Sequence, residues 1–207
     1  MENQQVPDKG SEKGSEKRTS GRWKLFAIIA VCASPLIGSY LAYYVIKPAG
    51  RTNYGEILDP RRYPMPTLGT TALDGAPLGV GAYKGKWIML QADSGACQAP
   101  CRKKLFEMRQ LRLTQGKEMD RIERIWMITD MQPLDTVLMK EYDGTRLLRV
   151  KPEALQKWLP VDAGTSVSDH IYMIDPLGNL MMRFPKDADP NKIKKDLGKL
   201  LRASSIG

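Results

Sequence analysis

Residues 86–101 have the sequence KWIMLQADSGACQAPC, and this stretch decides the fold. The short apolar run KWIMLQA predicts a buried β-strand, and the DSGA segment after it is typical of a turn. Apolar residues then recur at helical spacing over residues 98–114. The sequence therefore predicts that Cys97 and Cys101 lie in the first turn of a helix that directly follows a core strand.

A pair of thiols at the start of a helix favours chemistry over simple packing. Thiols ionise more readily at a helix N-terminus and beside basic residues, and here Arg102, Lys103 and Lys104 follow the second cysteine. Thiolates exchange disulfides and bind soft metals. Side chains at i and i+4 of a helix face the same way, so two such thiolates could bind one soft cation, such as Cu(I). A disulfide needs a modest adjustment of the loop, and a purely structural disulfide or two idle thiols remain the alternatives.

Strands and helices alternate downstream of this stretch, which indicates an α/β fold. A final hairpin adds antiparallel strands, so we expect a mixed sheet flanked by helices. The predicted strands are 121–129, 147–150, 171–174 and 180–184, and the predicted helices are 133–142, 152–158 and one that starts at Asp189-Pro190.

The N-terminal part of the chain predicts a membrane anchor. Residues 1–24 are polar and are expected to form a disordered tail. Residues 25–46 contain no charged side chain and as a helix would reach about 33 Å, enough to cross a bilayer. We expect residues 47–65 to be a linker and 66–207 to be the folded domain. A cleaved signal peptide is the alternative to an anchor.

Flanking charge predicts the orientation of this single-pass anchor. Six Lys/Arg residues precede the span and only Lys47 and Arg51 follow closely, which places the N-terminus in the cytoplasm. We expect a bacterial inner membrane with the C-terminal domain in the periplasm. Cys32 falls within the span, so Cys97 and Cys101 are the only cysteines of the exported domain.

The net charge of +9 does not indicate nucleic-acid binding. Residues 1–47 carry seven basic and four acidic side chains, so +9 − 3 leaves +6 for the remainder. There is no dense basic stripe with interleaved aromatic residues. A mildly basic face suits an anionic lipid surface or an acidic partner, and a mixed solvated surface is the alternative.

Several motifs resemble the Sco/SenC family over about residues 66–202. These are LDGAPL at 73–78 with YKGKW at 83–87, the Cys-x-x-x-Cys pair, ITDMQPLDT at 128–136 and DHIYMIDPLGNL at 169–180. Sco proteins are membrane-anchored, thioredoxin-like proteins that deliver copper to cytochrome c oxidase. The resemblance implies a thioredoxin-like sheet, Cu(I) as the metal, and a cytochrome c oxidase subunit or another copper or thiol assembly factor as the partner.

The resemblance also implies a set of site residues. Cys97 and Cys101 match the redox-active, copper-binding pair, and His170, the single histidine of the chain, matches the third copper ligand. Two positions depart from the family pattern. Arg102 stands where Sco proteins usually have proline, and His170 lies about three residues closer to the turn at Asp175 than the family's ligand.

Three functions follow from these observations. The first is Cu(I) binding and delivery, or thiol redox support, in cytochrome c oxidase assembly, which makes the protein a metallochaperone rather than a true enzyme. The second is a thiol–disulfide oxidoreductase. The third is a metal-free scaffold that docks on an oxidase subunit. The position of His170 relative to the two sulfurs separates the first from the others.

Overall fold

The computed structural model describes residues 19–46 and 53–206, which belong to two units divided between Arg51 and Thr52. The first unit is helix α1 (Thr19–Leu41), which continues as a π-helical stretch over Ala42–Ile46. Its Gly21–Val45 segment is long and apolar enough to cross a membrane. Residues 19–24, expected in the polar tail, lie in this helix. Residues 1–18 of that tail fall outside the described part.

The second unit is built on a six-stranded mixed sheet with the order β1-β6-β5-β2-β3-β4. Strands β2, β3 and β4 are parallel, whereas β5 runs antiparallel to β2, and β6 runs antiparallel to both β5 and β1. The predicted mixed sheet is therefore confirmed. The strands are β1 (Glu56–Ile57), β2 (Trp87–Asp93), β3 (Ile122–Ile128), β4 (Thr145–Arg149), β5 (Tyr172–Ile174) and β6 (Leu180–Arg183).

Helices cover both faces of the sheet, as expected for parallel strands. Alternate residues of β2 point to opposite faces: Leu90 packs in the same cluster as the helix α4 residue Leu155, and Met89 packs with residues of α2 and α5. We call these the α4 face and the α2 face. The helices are α2 (Ala99–Leu113), α3 (Thr136–Glu141), α4 (Pro152–Trp158) and α5 (Pro190–Ala203).

The second half of the predicted linker over residues 47–65 is attached to the folded domain. Leu58 is buried and its N–H donates to the Met181 carbonyl, which attaches this segment to the sheet edge at β6. The Asp196 carboxylate of α5 accepts hydrogen bonds from the N–H groups of Tyr54 (2.7 Å) and Gly55 (2.9 Å). These contacts join residues far apart in sequence, so no local pattern indicates them. Residues 47–52 lie outside the described residues.

Candidate functional site

Cys97 and Cys101 form a disulfide at the junction of β2 and α2, with 5.1 Å between their Cα atoms. Only Cys101 lies in the helix, which begins at Ala99 with Gln98 as its N-cap. Cys97 precedes the helix in a left-handed conformation, with φ of 38°. The expectation that both thiols occupy the first helical turn is therefore wrong for Cys97. The turn of the chain at Cys97, rather than i,i+4 helix geometry, brings the two sulfurs together.

Both cysteines are buried, with 0% and 1% of their surfaces exposed. Leu134, in the loop between β3 and α3, packs at the edge of this cluster. A thiol reagent therefore cannot reach either sulfur without a local movement of the chain. The buried side chains around the disulfide are Leu105, Trp126, Ile128, Leu138 and Tyr142.

Gln91 supplies a polar contact to the disulfide that the sequence analysis missed. Its Nε2 donates to the Cys101 Sγ at 3.6 Å. Its Oε1 is buried and has no hydrogen-bond partner within the described residues. Reduction would give Cys101 a thiol proton, which this free acceptor could bind. A glutamine inside the apolar run of β2 was the available signal, because buried polar side chains need partners.

The loop over residues 130–135, here called the covering loop, contacts the turn before Cys97. The Asp130 Oδ1 accepts a hydrogen bond of 2.9 Å from the Gly95 N–H. A Cβ atom at Gly95 would lie 3.0 Å from that oxygen, 3.0 Å from the Gln132 carbonyl oxygen and 3.2 Å from Leu134 Cδ2. Glycine thus allows the covering loop to approach closely.

Arginine side chains hold the covering loop in this position. Arg149 donates to the Gln132 carbonyl at 3.0 Å and also to the Asp130 carbonyl. Arg102 donates from Nε to the Cys97 carbonyl at 3.2 Å and forms an ion pair of 3.6 Å with Asp135. Arg102 therefore links the cysteine turn directly to the far end of the covering loop.

Lys104, one of the basic residues expected to influence the thiols, is committed to an ion pair. Its Nζ lies 3.2 Å from the Asp93 Oδ2, and both side chains are largely buried. The same ammonium donates to the Ser168 carbonyl. The pair ties the first turns of α2 to the end of β2 and to the loop before β5.

His170 is fully buried and both of its ring nitrogens are hydrogen-bonded. Nδ1 lies 2.8 Å from the Phe184 carbonyl oxygen, and Nε2 lies 2.8 Å from the Thr165 hydroxyl. Because a carbonyl only accepts, Nδ1 must carry a proton and donate it. Neither nitrogen is free to bind a metal while these contacts persist.

His170 also lies on the side of the sheet opposite the cysteines. Its backbone is extended, so its side chain shares a face with Tyr172, two residues on, whose ring is 5.9 Å away. Tyr172 packs on the α4 face, whereas Cys97 and Cys101 pack on the α2 face. His170 lies about three residues closer to the Asp175 turn than the family's ligand does. An odd displacement of this kind along an extended segment moves a side chain to the other face of the sheet.

The structure therefore brings Cys97 and Cys101 together but does not bring His170 to them. Across residues 19–46 and 53–206, no three His, Cys, Asp or Glu side chains are grouped closely enough to hold a metal ion. The three-residue copper site implied by the family resemblance is not assembled. The residues present fit at most a two-sulfur site, after reduction of the disulfide.

Comparison with known proteins supports this fold. A family model described as transmembrane-like, thioredoxin-like, C-terminal domain matches residues 87–204. No curated protein sequence matches the chain.

Among solved structures, the chain is similar to a SCO1/SenC family lipoprotein from Bacillus anthracis str. Ames, with 17% identity and a TM-score of 0.52, over 70% of this chain and 97% of that one. It is also similar to copper-bound ScoI from Arabidopsis thaliana, with 16% identity and a TM-score of 0.52, over 73% and 99% of the two chains. Copper-bound yeast Sco1 matches with 16% identity and a TM-score of 0.51, over 68% and 96%. At these identities the likeness is one of fold.

Proposed function

Because this chain belongs to the family of transmembrane-like proteins with a thioredoxin-like C-terminal domain, we propose that it is a membrane-anchored thiol–disulfide redox protein. The observation that carries the proposal is the Cys97–Cys101 disulfide at the β2–α2 junction, with Gln91 beneath it. The reactive group is this pair, and the substrate class is a protein dithiol or disulfide.

A structural disulfide explains the pair less well. A cross-link that closes so short a loop stabilises a protein by about 2 kcal/mol in the chain-entropy model. The left-handed backbone of Cys97 costs about 1–3 kcal/mol, which offsets most of that gain. A redox role accounts for the strained backbone at Cys97, whereas a purely structural cross-link does not.

The proposed exchange runs through a mixed disulfide. A thiolate of the partner attacks the Cys97 Sγ, the Cys97–Cys101 bond breaks, and the Cys101 Sγ leaves as a thiolate. Gln91 Nε2 already donates to that sulfur and would stabilise its negative charge. The partner's second thiol then attacks the mixed disulfide, so the partner is oxidised to a disulfide while two electrons and two protons pass to the pair. The reverse sequence reduces a partner disulfide.

Burial requires an opening step before exchange. The covering loop is the element that contacts both the turn before Cys97 and the cluster around the sulfurs. It is held by hydrogen bonds and one half-exposed ion pair, Arg102–Asp135, rather than by a large apolar contact. Such segments open at lower free energy than core strands do.

Cu(I) carriage is the second candidate function. When reduced, Cys97 and Cys101 offer two soft thiolate ligands, the donor type that Cu(I) prefers. The shared fold with copper-bound ScoI and Sco1 favours this candidate. Delivery to a cytochrome c oxidase subunit, or exchange with another copper or thiol assembly factor, would follow from it. If the protein shows neither metal binding nor thiol chemistry, the remaining candidate is a metal-free scaffold that docks on an oxidase subunit.

The proposed location is a bacterial inner membrane, with the N-terminus in the cytoplasm and the domain in the periplasm. The basic residues before the apolar segment support this orientation. A disulfide also persists in an oxidising compartment outside the cytoplasm.

The reduction potential of the pair tests the redox proposal. The full chain in detergent, with Cys32→Ser to remove the other thiol, is equilibrated in dithiothreitol or glutathione redox buffers and the free thiols are counted by alkylation and mass spectrometry. A working redox pair should titrate as a two-electron couple between about −120 and −270 mV. A potential below about −300 mV is typical of structural disulfides and would overturn the proposal.

Cu(I) titration separates the second candidate. The reduced chain competes with a chelator for Cu(I), and the two-thiolate site predicts one ion per chain, lost in Cys97→Ser and retained in His170→Asn. Loss of binding in His170→Asn with the fold intact would restore the histidine ligand. Absence of binding in the parent chain removes copper carriage but leaves the redox proposal standing.

A further inference from the structure

A strongly basic groove lies between the end of α2 and helix α5, away from the disulfide. Its volume is about 920 Å³, and Glu118 is the one acidic side chain among the described residues that line it. The basic residues that line it are Lys117, Arg121, Lys194, Lys195, Lys199 and Arg202. We call this feature the basic groove.

The helical repeat of α5 places two of these basic groups, Lys195 and Arg202, on one face. Asn191, Lys195, Gly198 and Arg202 recur at intervals of four, three and four residues, so they form one stripe along the helix. The opposite face of α5 packs its apolar side chains into the core. The basic stripe is therefore carried by a fixed element.

Two of the six cations are already neutralised. Arg121 pairs with Glu118 at 2.8 Å, and Lys199 pairs with Asp196 at 3.2 Å. The other four have no ion-pair partner in the described part of the chain, and they are Lys117, Lys194, Lys195 and Arg202. Uncompensated like charges around one concavity attract a ligand with several negative charges.

Gly198 leaves space in this groove. A Cβ atom there would lie 3.5 Å from the Arg202 Nη1 and 3.8 Å from the Gln115 Oε1, which are ordinary contacts. The fold therefore does not require glycine at this position, and glycine inside a helix is destabilising. What glycine provides is open space beside the Arg202 guanidinium.

We propose that the basic groove binds the phosphate-bearing headgroups of anionic phospholipids and so docks the domain on a bilayer. The apolar Gly21–Val45 helix is long enough to cross a membrane, so a lipid surface would lie near the domain. Six residues, 47–52, connect the last residue of that helical unit to the domain, and six residues span at most about 22 Å. A soluble polyphosphate would need no such tether. The inference uses the membrane anchor of the proposed function but not its redox chemistry.

The test measures how close the groove lies to lipid in the full chain. In a Cys32→Ser background, Asn191→Cys carries a nitroxide at the groove, and Gln156→Cys on α4 is the control position. The chain is placed in nanodiscs of phosphatidylcholine alone or with added phosphatidylglycerol, and accessibility to a water-soluble nickel relaxer is measured. We expect protection at residue 191 only in the anionic discs, and loss of that protection near 1 M salt, where the Debye length is about 3 Å.

Charge reversal identifies the groups responsible. Lys194→Glu with Lys195→Glu and Arg202→Glu should lower the ratio of docked to undocked domain by about 100-fold or more. The same charge change at three exposed lysines elsewhere should leave docking unchanged, and these are Lys140, Lys151 and Lys157. Gly198→Ala is a milder variant that should weaken docking while keeping or raising the melting temperature.

Several results would overturn the proposal. The first is equal protection of the nitroxide at residue 191 in neutral and anionic discs. The second is an equal loss of docking in the groove triple variant and in the control triple variant. The third is unchanged docking in the groove variants. Tripolyphosphate is added to the neutral discs as a separate arm. A nitroxide response to tripolyphosphate without protection by anionic lipid would assign the groove to a soluble polyanion instead. The redox potential of Cys97–Cys101 is unaffected by any of these outcomes.

Discussion

Gly95→Ala should speed chemical reduction of the Cys97–Cys101 disulfide. The φ angle of Gly95 lies outside the left-handed region, so alanine is allowed there by the backbone. The new methyl group would, however, lie 3.0 Å from both the Asp130 Oδ1 and the Gln132 carbonyl oxygen. The covering loop must then move outward by a few tenths of an ångström or open more often.

The magnitude follows from the cost of overpacking. An extra methyl group in a well-packed site costs about 1–3 kcal/mol. If about 1–2 kcal/mol of this falls on the closed position of the covering loop, the open fraction rises about 5- to 30-fold. Because both sulfurs are buried, reduction proceeds through the open form, and its rate should rise by the same factor.

The assay is reduction by excess dithiothreitol, quenched at intervals with iodoacetamide and followed by mass spectrometry in the Cys32→Ser background. Gly81→Ala is the matched control, since a Cβ atom at Gly81 meets no atom within 4 Å and its φ also permits alanine. Reduction of Gly95→Ala at the parental rate, or equal acceleration by Gly81→Ala, would refute the role assigned to the covering loop.

Three further predictions concern buried or paired side chains. His170→Ala leaves the buried Phe184 carbonyl without its imidazole donor and opens a cavity, so calorimetry should show a loss of about 3 kcal/mol while the thiol potential stays unchanged. Hydrogen bonds from Ser166 and the charge of Lys186 lower the pKa of Asp169 from 3.8 to about 2. Its stabilisation is therefore fully present above pH 3.8 and is lost as the pH falls through 2, so urea midpoints of Asp169→Asn should approach those of the parent chain only in acid. Burial lowers the pKa of Arg124, and two of its guanidinium nitrogens lack partners within residues 53–206. Arg124→Met should therefore keep or raise the free energy of unfolding, and a urea-measured loss above about 1 kcal/mol would contradict this.

Most of the second unit could be predicted because its signals are local. The apolar runs that become β2 and β3 and the helical spacing of α2 need only a window of residues. The predicted helix over 133–142 shortens to α3 because Asp135 caps it, its side chain accepting from the Val137 N–H at 2.8 Å. The site of the cysteine pair could be predicted for the same reason, because the strand before it and the helix after it are adjacent in sequence.

Strand β1 could not be predicted because its partners are distant in sequence. Two residues are too few to show alternation, and the Tyr54–Asp196 contact joins the start of the domain to its last helix. The face of the sheet on which His170 lies could, in contrast, be predicted from the alternation of residues along the strand. It shares parity with Tyr172 and Ile174, which are buried strand residues on one face, and that parity places it opposite the cysteines.

The sheet therefore separates two roles that the family resemblance joins. On the α2 face, Gln91 and the apolar cluster hold a disulfide whose reduction leaves two soft ligands. On the α4 face, His170 bridges the Phe184 carbonyl and the Thr165 hydroxyl. To reach the sulfurs, the imidazole would have to break both hydrogen bonds and cross the plane of the sheet. If the proposed Cu(I) carriage is correct, the ion is therefore expected to bind the two thiolates without the imidazole, and His170→Asn should leave its affinity unchanged.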